Sequence, residues 1–213
     1  MVRLAQQHIA IEGPIGVGKT TLAKAMADRL DATTVLERTD DNPFIEYFYQ
    51  DPERHALSVQ LSFLFSRLKQ WQGIHQQELF SSGIVSDYLF AKDRLFATIT
   101  LSDEELALYE QVARLVSVHI PKPDLVIYLQ ADVEALVERV SRRNRELESS
   151  MTQEYIRTVA TAYDRFFFHY QETPLFIVQT NKLNFAENPE DVDALIDRIR
   201  HMRSGTEFWA DYS

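Results

Sequence analysis

The sequence predicts an α/β protein, a parallel β-sheet with helices packed on both faces. Three observations carry that expectation. Five short apolar segments, at 8–12, 33–37, 83–87, 124–130 and 174–180, are separated by stretches with helical spacing, the βαβ rhythm of a parallel sheet. The first of them, His8-Ile9-Ala10-Ile11-Glu12, runs into Gly13-Pro14-Ile15-Gly16-Val17-Gly18-Lys19-Thr20, a complete Gly-x-x-x-x-Gly-Lys-Thr phosphate loop. A helical pattern follows at once, Thr21-Leu22-Ala23-Lys24-Ala25-Met26-Ala27-Asp28-Arg29-Leu30. Strand, loop and helix in that order let the backbone N–H groups and the positive end of the helix face a polyphosphate. The expected fold is therefore a P-loop three-layer sandwich, with a five-stranded parallel sheet in the order 2-3-1-4-5 and an arginine-rich lid.

The remaining elements follow from pattern and punctuation. Leu57, Leu61, Leu64, Phe65 and Leu68 recur at helical spacing within a long helix from about residue 52 to 80. Ser102-Asp103-Glu104-Glu105 is a capping-type start for a helix that runs towards Ile120, where Pro121 and Pro123 end it. Asp132 opens a helix to about Arg145, residues 151–170 form the next, and Pro189-Glu190-Asp191 starts the last, with Ile196 and Ile199 on its buried side. The stretch 204–213 shows no pattern and reads as a mobile tail. There is no repeat, low-complexity segment or linker, so residues 1–213 are expected to form a single domain, with the lid at about 139–150.

Composition narrows the function. A chain of 213 residues with 45% hydrophobic and 25% charged content is ordinary for a globular protein. It has no cysteine, hence no disulfide, thiolate metal site or cysteine nucleophile. The N-terminal residues are too few and too polar for a signal peptide, and no run approaches a membrane span, so a cytoplasmic protein without a membrane partner is expected. A net charge of −10 argues against a nucleic-acid surface. The cations that are present gather at Arg139, Arg142, Arg143 and Arg145. The six histidines show no metal-ligand spacing.

In an open parallel sheet, ligands bind outside the carboxyl ends of the strands. The phosphate loop follows the first strand, Glu37 the second, Asp87 the third, and the arginine helix the fourth. Gly13, Pro14, Ile15, Gly16, Val17, Gly18, Lys19, Thr20 and Thr21 form the expected nucleoside-triphosphate site, with Lys19 on the outer phosphates and the Thr20 hydroxyl on Mg²⁺. Glu37 is the candidate base for an acceptor hydroxyl. Asp87, after Ile84-Val85-Ser86, is the candidate second acid of the Mg²⁺ site. Arg139, Arg143 and Arg145 are candidates to stabilise the transferring group.

These motifs resemble the deoxynucleoside kinases, in particular the bacterial deoxyadenosine/deoxyguanosine type related to deoxycytidine kinase, over nearly the whole chain. The resemblance implies transfer of the γ-phosphate of ATP to the 5′-hydroxyl of a deoxynucleoside, with Mg²⁺, in nucleotide salvage. It makes Glu37 the general base, and puts Tyr49 and Glu148 on the sugar 3′-hydroxyl. Gln60 and Arg67, two helical turns apart in Gln60-Leu61-Ser62-Phe63-Leu64-Phe65-Ser66-Arg67, become readers of the base, with Asp93 as partner of Arg67. Asp87 lies near the metal and the 5′-hydroxyl, and Arg139, Arg143 and Arg145 match the lid arginines. A homodimer is implied, for which the apolar faces around 57–68 and 106–118 are available, although the same stripes would serve a core. The family pattern has acid-Arg-Ser after the third strand, whereas this chain has Asp87-Tyr88-Leu89. Lys92, Arg94 or the lid must then supply the missing cation. Because Arg67 and Asp93 are both kept, deoxyadenosine, deoxyguanosine or deoxycytidine is expected over thymidine.

Two other readings compete. A nucleoside monophosphate kinase of the thymidylate type shares the loop-and-lid plan, but needs a cationic acceptor pocket and no strong base. A GTP-binding regulator is suggested by Thr180-Asn181-Lys182-Leu183-Asn184, yet asparagine stands where an aspartate must pair with guanine, and no Asp-x-x-Gly follows the third strand.

Overall fold

A computed structural model describes residues 7–39, 41–75, 83–143, 151–202 and 205–210. The elements run β1 (His8–Glu12), α1 (Lys19–Leu30), β2 (Thr33–Val35), α2 (Ile45–Gln50), α3 (Pro52–His75), β3 (Ile84–Ser86), α4 (Lys92–Thr100), α5 (Asp103–Ser117), β4 (Leu125–Gln130), α6 (Val133–Arg143), α7 (Gln153–Phe168), β5 (Leu175–Gln179), α8 (Pro189–His201) and β6 (Thr206–Trp209). All pairings are parallel, in the order β2-β3-β1-β4-β5-β6.

The sheet thus has six strands rather than five. The expected order of the first five holds, and a sixth joins beyond β5. Its residues come from the stretch expected to be a patternless tail. Gly205, at φ 78, turns the chain, and Thr206–Trp209 then pairs alongside Leu175–Val178. Trp209 is buried against the main core, and the Arg198 guanidinium lies 4.8 Å from its ring centroid. β2 is also shorter than expected, so Glu37 lies two residues beyond the strand rather than at its last position. The long helix α3 is described as far as His75, and 76–82 lie outside the described residues.

Strand periodicity sorts the core into two layers. Ile9, Ile11, Leu125, Ile127 and Leu129 pack on Leu22 and Met26 of α1 and on Val192, Leu195 and Ile199 of α8. Ala10, Val126 and Tyr128 point the other way, onto Leu95 of α4 and Val159, Tyr163 and Phe167 of α7. The same alternation turns the last residue of β1, the fully buried Glu12, towards α4 and α7. Phe167 and Tyr170, at the end of α7 and just beyond it, belong to this core, whereas Phe168 is exposed.

Ser102 caps α5 with a complete capping box: its hydroxyl accepts from the Glu105 N–H, and the Glu105 carboxylate accepts from the Ser102 N–H. Leu57, Leu61, Leu64 and Leu68 of α3 meet Leu106, Tyr109 and Val112 of α5. Most of the two stripes therefore serves the core. Phe65, Leu108, Leu115 and Val118 remain exposed. Among the described residues no helix is long and apolar enough to cross a membrane.

Candidate active site

The phosphate loop is shaped by glycines that nothing else can replace. Gly13 has φ 154, and a Cβ there would lie 2.4 Å from the carbonyl oxygen of Leu129 on the neighbouring central strand. Gly16, at φ 85, backs onto α6, where a Cβ would lie 2.8 Å from Val140 Cγ2. Lys19, first residue of α1, folds over the loop and donates to the carbonyls of Gly13 (2.7 Å) and Pro14 (3.1 Å). Burial, with Lys92 nearby, lowers its pKa.

Asp87, just beyond β3, ties the start of α1 to the segment after β2. Its Oδ2 accepts from the Thr20 hydroxyl at 2.5 Å and its Oδ1 from the Glu37 backbone N–H at 2.6 Å. Gln70 of α3 steadies the same region by donating to the Leu36 carbonyl while accepting from the Tyr88 hydroxyl. The Thr20 and Asp87 oxygens form a hard-oxygen donor pair. Among the described residues no cluster of three or more histidines, cysteines or carboxylates could form a metal cage of its own. Such a pair fits Mg²⁺ shared between one or two protein oxygens and a polyphosphate.

Beside the loop lies a cavity of about 240 Å³, to which Lys19, Thr20, Glu37, Tyr49, Gln60, Arg67, Asp87 and Asp93 all contribute. Phe48, Val59, Phe63 and Phe96 supply apolar wall. Gln60 and Arg67, both buried, face it from α3, and the Gln60 amide lies 3.4 Å from the Thr100 hydroxyl. The sequence-predicted acceptor residues outside the lid thus converge.

Ion pairs dominate the inner part of the cavity. Arg67 pairs with Asp93 at 2.8 Å and donates to Glu37 Oε1, while its guanidinium lies over the rings of Phe63 and Tyr88. The Lys92 ammonium donates to Glu37 Oε2 at 2.9 Å. Both Glu37 oxygens are therefore held. Burial alone would raise the Glu37 pKa, but Lys92 and Arg67 outweigh it and hold the carboxyl at about 2. For Asp93 the balance tips the other way. Burial, reinforced by Glu37 and Glu12, outweighs Arg67 and pushes it up to about 6.

The position that holds arginine in the family pattern is occupied by a buried tyrosine that supports a cation instead of supplying one. Of the two nearby candidates, Lys92 reaches the cavity and Arg94 does not; Arg94 pairs with Glu110 at the surface. Sequence reasoning missed Glu12. A carboxylate closing an apolar strand just before the phosphate loop was the available signal.

On the other side of the loop is a second crevice of about 480 Å³, bordered by Gly16, Gly18, Thr21, Arg139, Arg142, Arg143 and Asn184. Arg139 is directed to the end of β5, donating to the Thr180 hydroxyl (3.1 Å) and carbonyl (2.6 Å). Arg143 borders both the crevice and the acceptor cavity. Arg145 and Glu148 lie outside the described residues. The asparagines of the guanine-motif look-alike serve local structure: Asn181 accepts from the Asp132 N–H, and Asn184 bonds Glu187 and the Ala186 N–H.

A phosphate loop after the first strand, carboxylates just beyond the next two strands and a cavity beside the loop are the plan of a P-loop phosphotransferase. The chain belongs to the deoxynucleoside kinase family, which it matches over residues 9–203. It is 30% identical over 199 residues to the deoxyadenosine/deoxycytidine kinase of Bacillus subtilis, covering 90% of each chain. It is 28% identical over 199 residues to the deoxyguanosine kinase of the same organism, covering 91% of this chain and 96% of that one. The fold matches the solved structure of deoxyadenosine kinase from M. mycoides with bound dCTP, at a TM-score of 0.77 and 21% identity, over 92% of this chain and 100% of that one. The protein is an enzyme that phosphorylates deoxynucleosides.

Proposed function

We propose that the protein transfers the γ-phosphate of ATP to the 5′-hydroxyl of deoxyadenosine, deoxyguanosine or deoxycytidine in preference to thymidine, as a single-domain salvage kinase. The observation that carries this is the Glu37 carboxylate, fixed at both oxygens in a cavity that also contains Lys19 and Thr20 of the phosphate loop. An acceptor hydroxyl entering there meets a proton acceptor on one side and the donor phosphate on the other. The 5′-oxygen bonds to the γ-phosphorus as the bond to the leaving β-phosphate oxygen breaks, and the proton passes to Glu37. Phosphoryl transfer of this kind proceeds through a loose transition state, so orienting the hydroxyl counts for more than base strength. That suits a carboxylate held as low as Glu37.

Lys19 and the lid arginines, Arg139, Arg143 and Arg145, neutralise charge on the phosphates. Thr20 and Asp87 would hold Mg²⁺, which when bound draws negative charge from the outer phosphates. Tyr49 and Glu148 take the sugar 3′-hydroxyl. Gln60, Arg67 and Asp93 read the base at the inner end of the cavity, and the crevice beyond Gly16 takes the adenine side of ATP. We infer a cytoplasmic setting, where ATP is available.

A panel of thymidine, deoxycytidine, deoxyadenosine, deoxyguanosine and their monophosphates, with ATP and Mg²⁺, tests the reading. Monophosphate is expected from the purine nucleosides or deoxycytidine. Diphosphate formed from the monophosphates alone would favour the monophosphate kinase instead, and GTP hydrolysis with no transfer would favour the regulator. A homodimer is proposed through the face bearing Leu108 and Leu115, which lie two turns apart and exposed on α5. Sedimentation equilibrium is expected to give twice the chain mass and, for Leu115→Asp, the single mass; a monomeric parent protein removes the proposal.

A further inference from the structure

We propose that Glu12 and Lys92 form a positioning pair for phosphoryl transfer: Glu12 fixes the Lys92 ammonium, and Lys92 holds the Glu37 carboxylate where the acceptor hydroxyl enters. The proposal rests on the reading of Glu37 as proton acceptor.

Lys92 is an improbable residue in its place. It is only 4% exposed and it opens α4, where the helix dipole disfavours a cation. A buried ammonium is retained only when charges and hydrogen bonds compensate its lost hydration. Its compensation is asymmetric. Glu37 Oε2, at 2.9 Å, belongs to a side chain 20% exposed and opening on the cavity; Glu12 Oε1, at 3.9 Å, belongs to one with no exposure at all. One carboxylate faces the reaction and the other anchors the cation that serves it.

Glu12 is itself fixed from three directions. Its Oε1 accepts from the Gly13 N–H (3.0 Å) and the Tyr163 hydroxyl (2.9 Å), and its Oε2 from the Leu89 N–H (2.6 Å). The first residue of the phosphate loop, the turn that leads into α4, and α7 are thereby tied to one carboxylate. The line Gly13–Glu12–Lys92–Glu37 thus couples the loop that holds the donor to the group that receives the acceptor's proton. A pair needed only for packing would not require its cation to line the cavity, which Lys92 does.

The charged groups facing Lys92 are Glu12 from β1, Lys19 from α1, Glu37 after β2, Arg67 from α3 and Asp93 beside it on α4, with Tyr163 of α7 acting through Glu12. Burial opposes the charge on Lys92, but Glu12 and Glu37 outweigh it and lift the ammonium above the usual lysine value.

The test is a double-mutant cycle read as kcat and KM, with folding followed by circular dichroism and by binding of a fluorescent ATP analogue. Lys92→Met is expected to lower kcat about 100-fold while KM for ATP moves less than about threefold. Glu12→Gln is expected to lower kcat about tenfold. Because Glu12 acts through Lys92, the double variant should fall within about twofold of Lys92→Met. Lys92→Arg should recover kcat to within about tenfold of the parent enzyme. A Lys92→Met enzyme with near-parental kcat, or losses that multiply in the double variant, overturns the pair.

If Lys92→Met does not fold, the alkaline limb of kcat decides. Glu12→Gln should move it to lower pH, because the carboxylate that favours the ammonium is gone, and Lys92→Arg should abolish it. A limb indifferent to both changes overturns the proposal. Normal turnover in Glu37→Gln would remove the proton acceptor itself, whereas a loss there with none in Lys92→Met would remove only the pair.

Discussion

Replacing Glu37 by glutamine is expected to lower kcat by about a thousandfold while leaving ATP affinity nearly unchanged. The substitution keeps the size of the side chain and one acceptor oxygen, so the acceptor can still enter. What it removes is the proposed acceptor for the 5′-hydroxyl proton. It also leaves Arg67 and Lys92 with one carboxylate fewer, so the two cations that hold Glu37 lose their shared target. The donor site should not notice, because Lys19 bonds the loop carbonyls and not Glu37. Initial rates with saturating ATP, together with equilibrium binding of ATP, separate the two effects. Turnover within a few-fold of the parent would remove Glu37 as the base.

Arg67→Ala is expected to destabilise the protein by about 3–5 kcal/mol, the range for breaking a buried ion pair from one side. Arg67 is 4% exposed and pairs with both Asp93 and Glu37, so its loss strands Asp93 and leaves Glu37 with Lys92 alone. The pH dependence has a definite sign. Asp93 already stands at about 6 against an ordinary 3.8 and without Arg67 rises further, whereas Glu37, held at about 2, loses one of the two cations that depress it. A carboxyl whose folded pKa exceeds its unfolded one makes the native state bind the proton more tightly. Its cost is then complete above the folded pKa and relieved as pH falls towards 4. The melting deficit of Arg67→Ala should therefore be largest at pH 7–8 and shrink towards pH 5. A deficit independent of pH would mean that packing, not charge, is what Arg67 provides. The same variant is expected to shift the preference among bases, and an unchanged preference would take Arg67 out of base reading.

Much of this site could be read from the sequence because its signals are local. The phosphate loop is contiguous, and Gln60 and Arg67 need only helical geometry to share a face. Asp87 ends an apolar run. β1 was bounded without error, and the ends of β4 and β5 to within a residue, since apolar runs bounded by polar or proline residues mark buried strands well. What escaped the sequence was non-local. Glu12 takes partners 77 and 151 residues away, and no spacing rule connects those positions. A carboxylate also reads as surface by default, so the one local signal, its place at the end of an apolar strand, does not by itself indicate full burial. β6 was overlooked because four residues at a sheet edge, of which only Trp209 is buried, carry too little periodicity to stand out. The short helices α2 and α4 escaped for a related reason: neither is capped by a side chain, so their starts carry no signature. Tyr88 was correctly seen as a departure, but only the packing shows that its ring lies beneath the Arg67 guanidinium.

Gly16 is small, yet it is the wall that the two cavities share, with Arg143 bordering both. Its backbone leaves no thickness for a side chain on the α6 face. In the proposed assignment, donor and acceptor therefore approach the same few atoms from opposite sides of Gly16. A phosphoryl group handed across that partition moves once, from one substrate directly to the other, and a single displacement inverts the configuration at phosphorus.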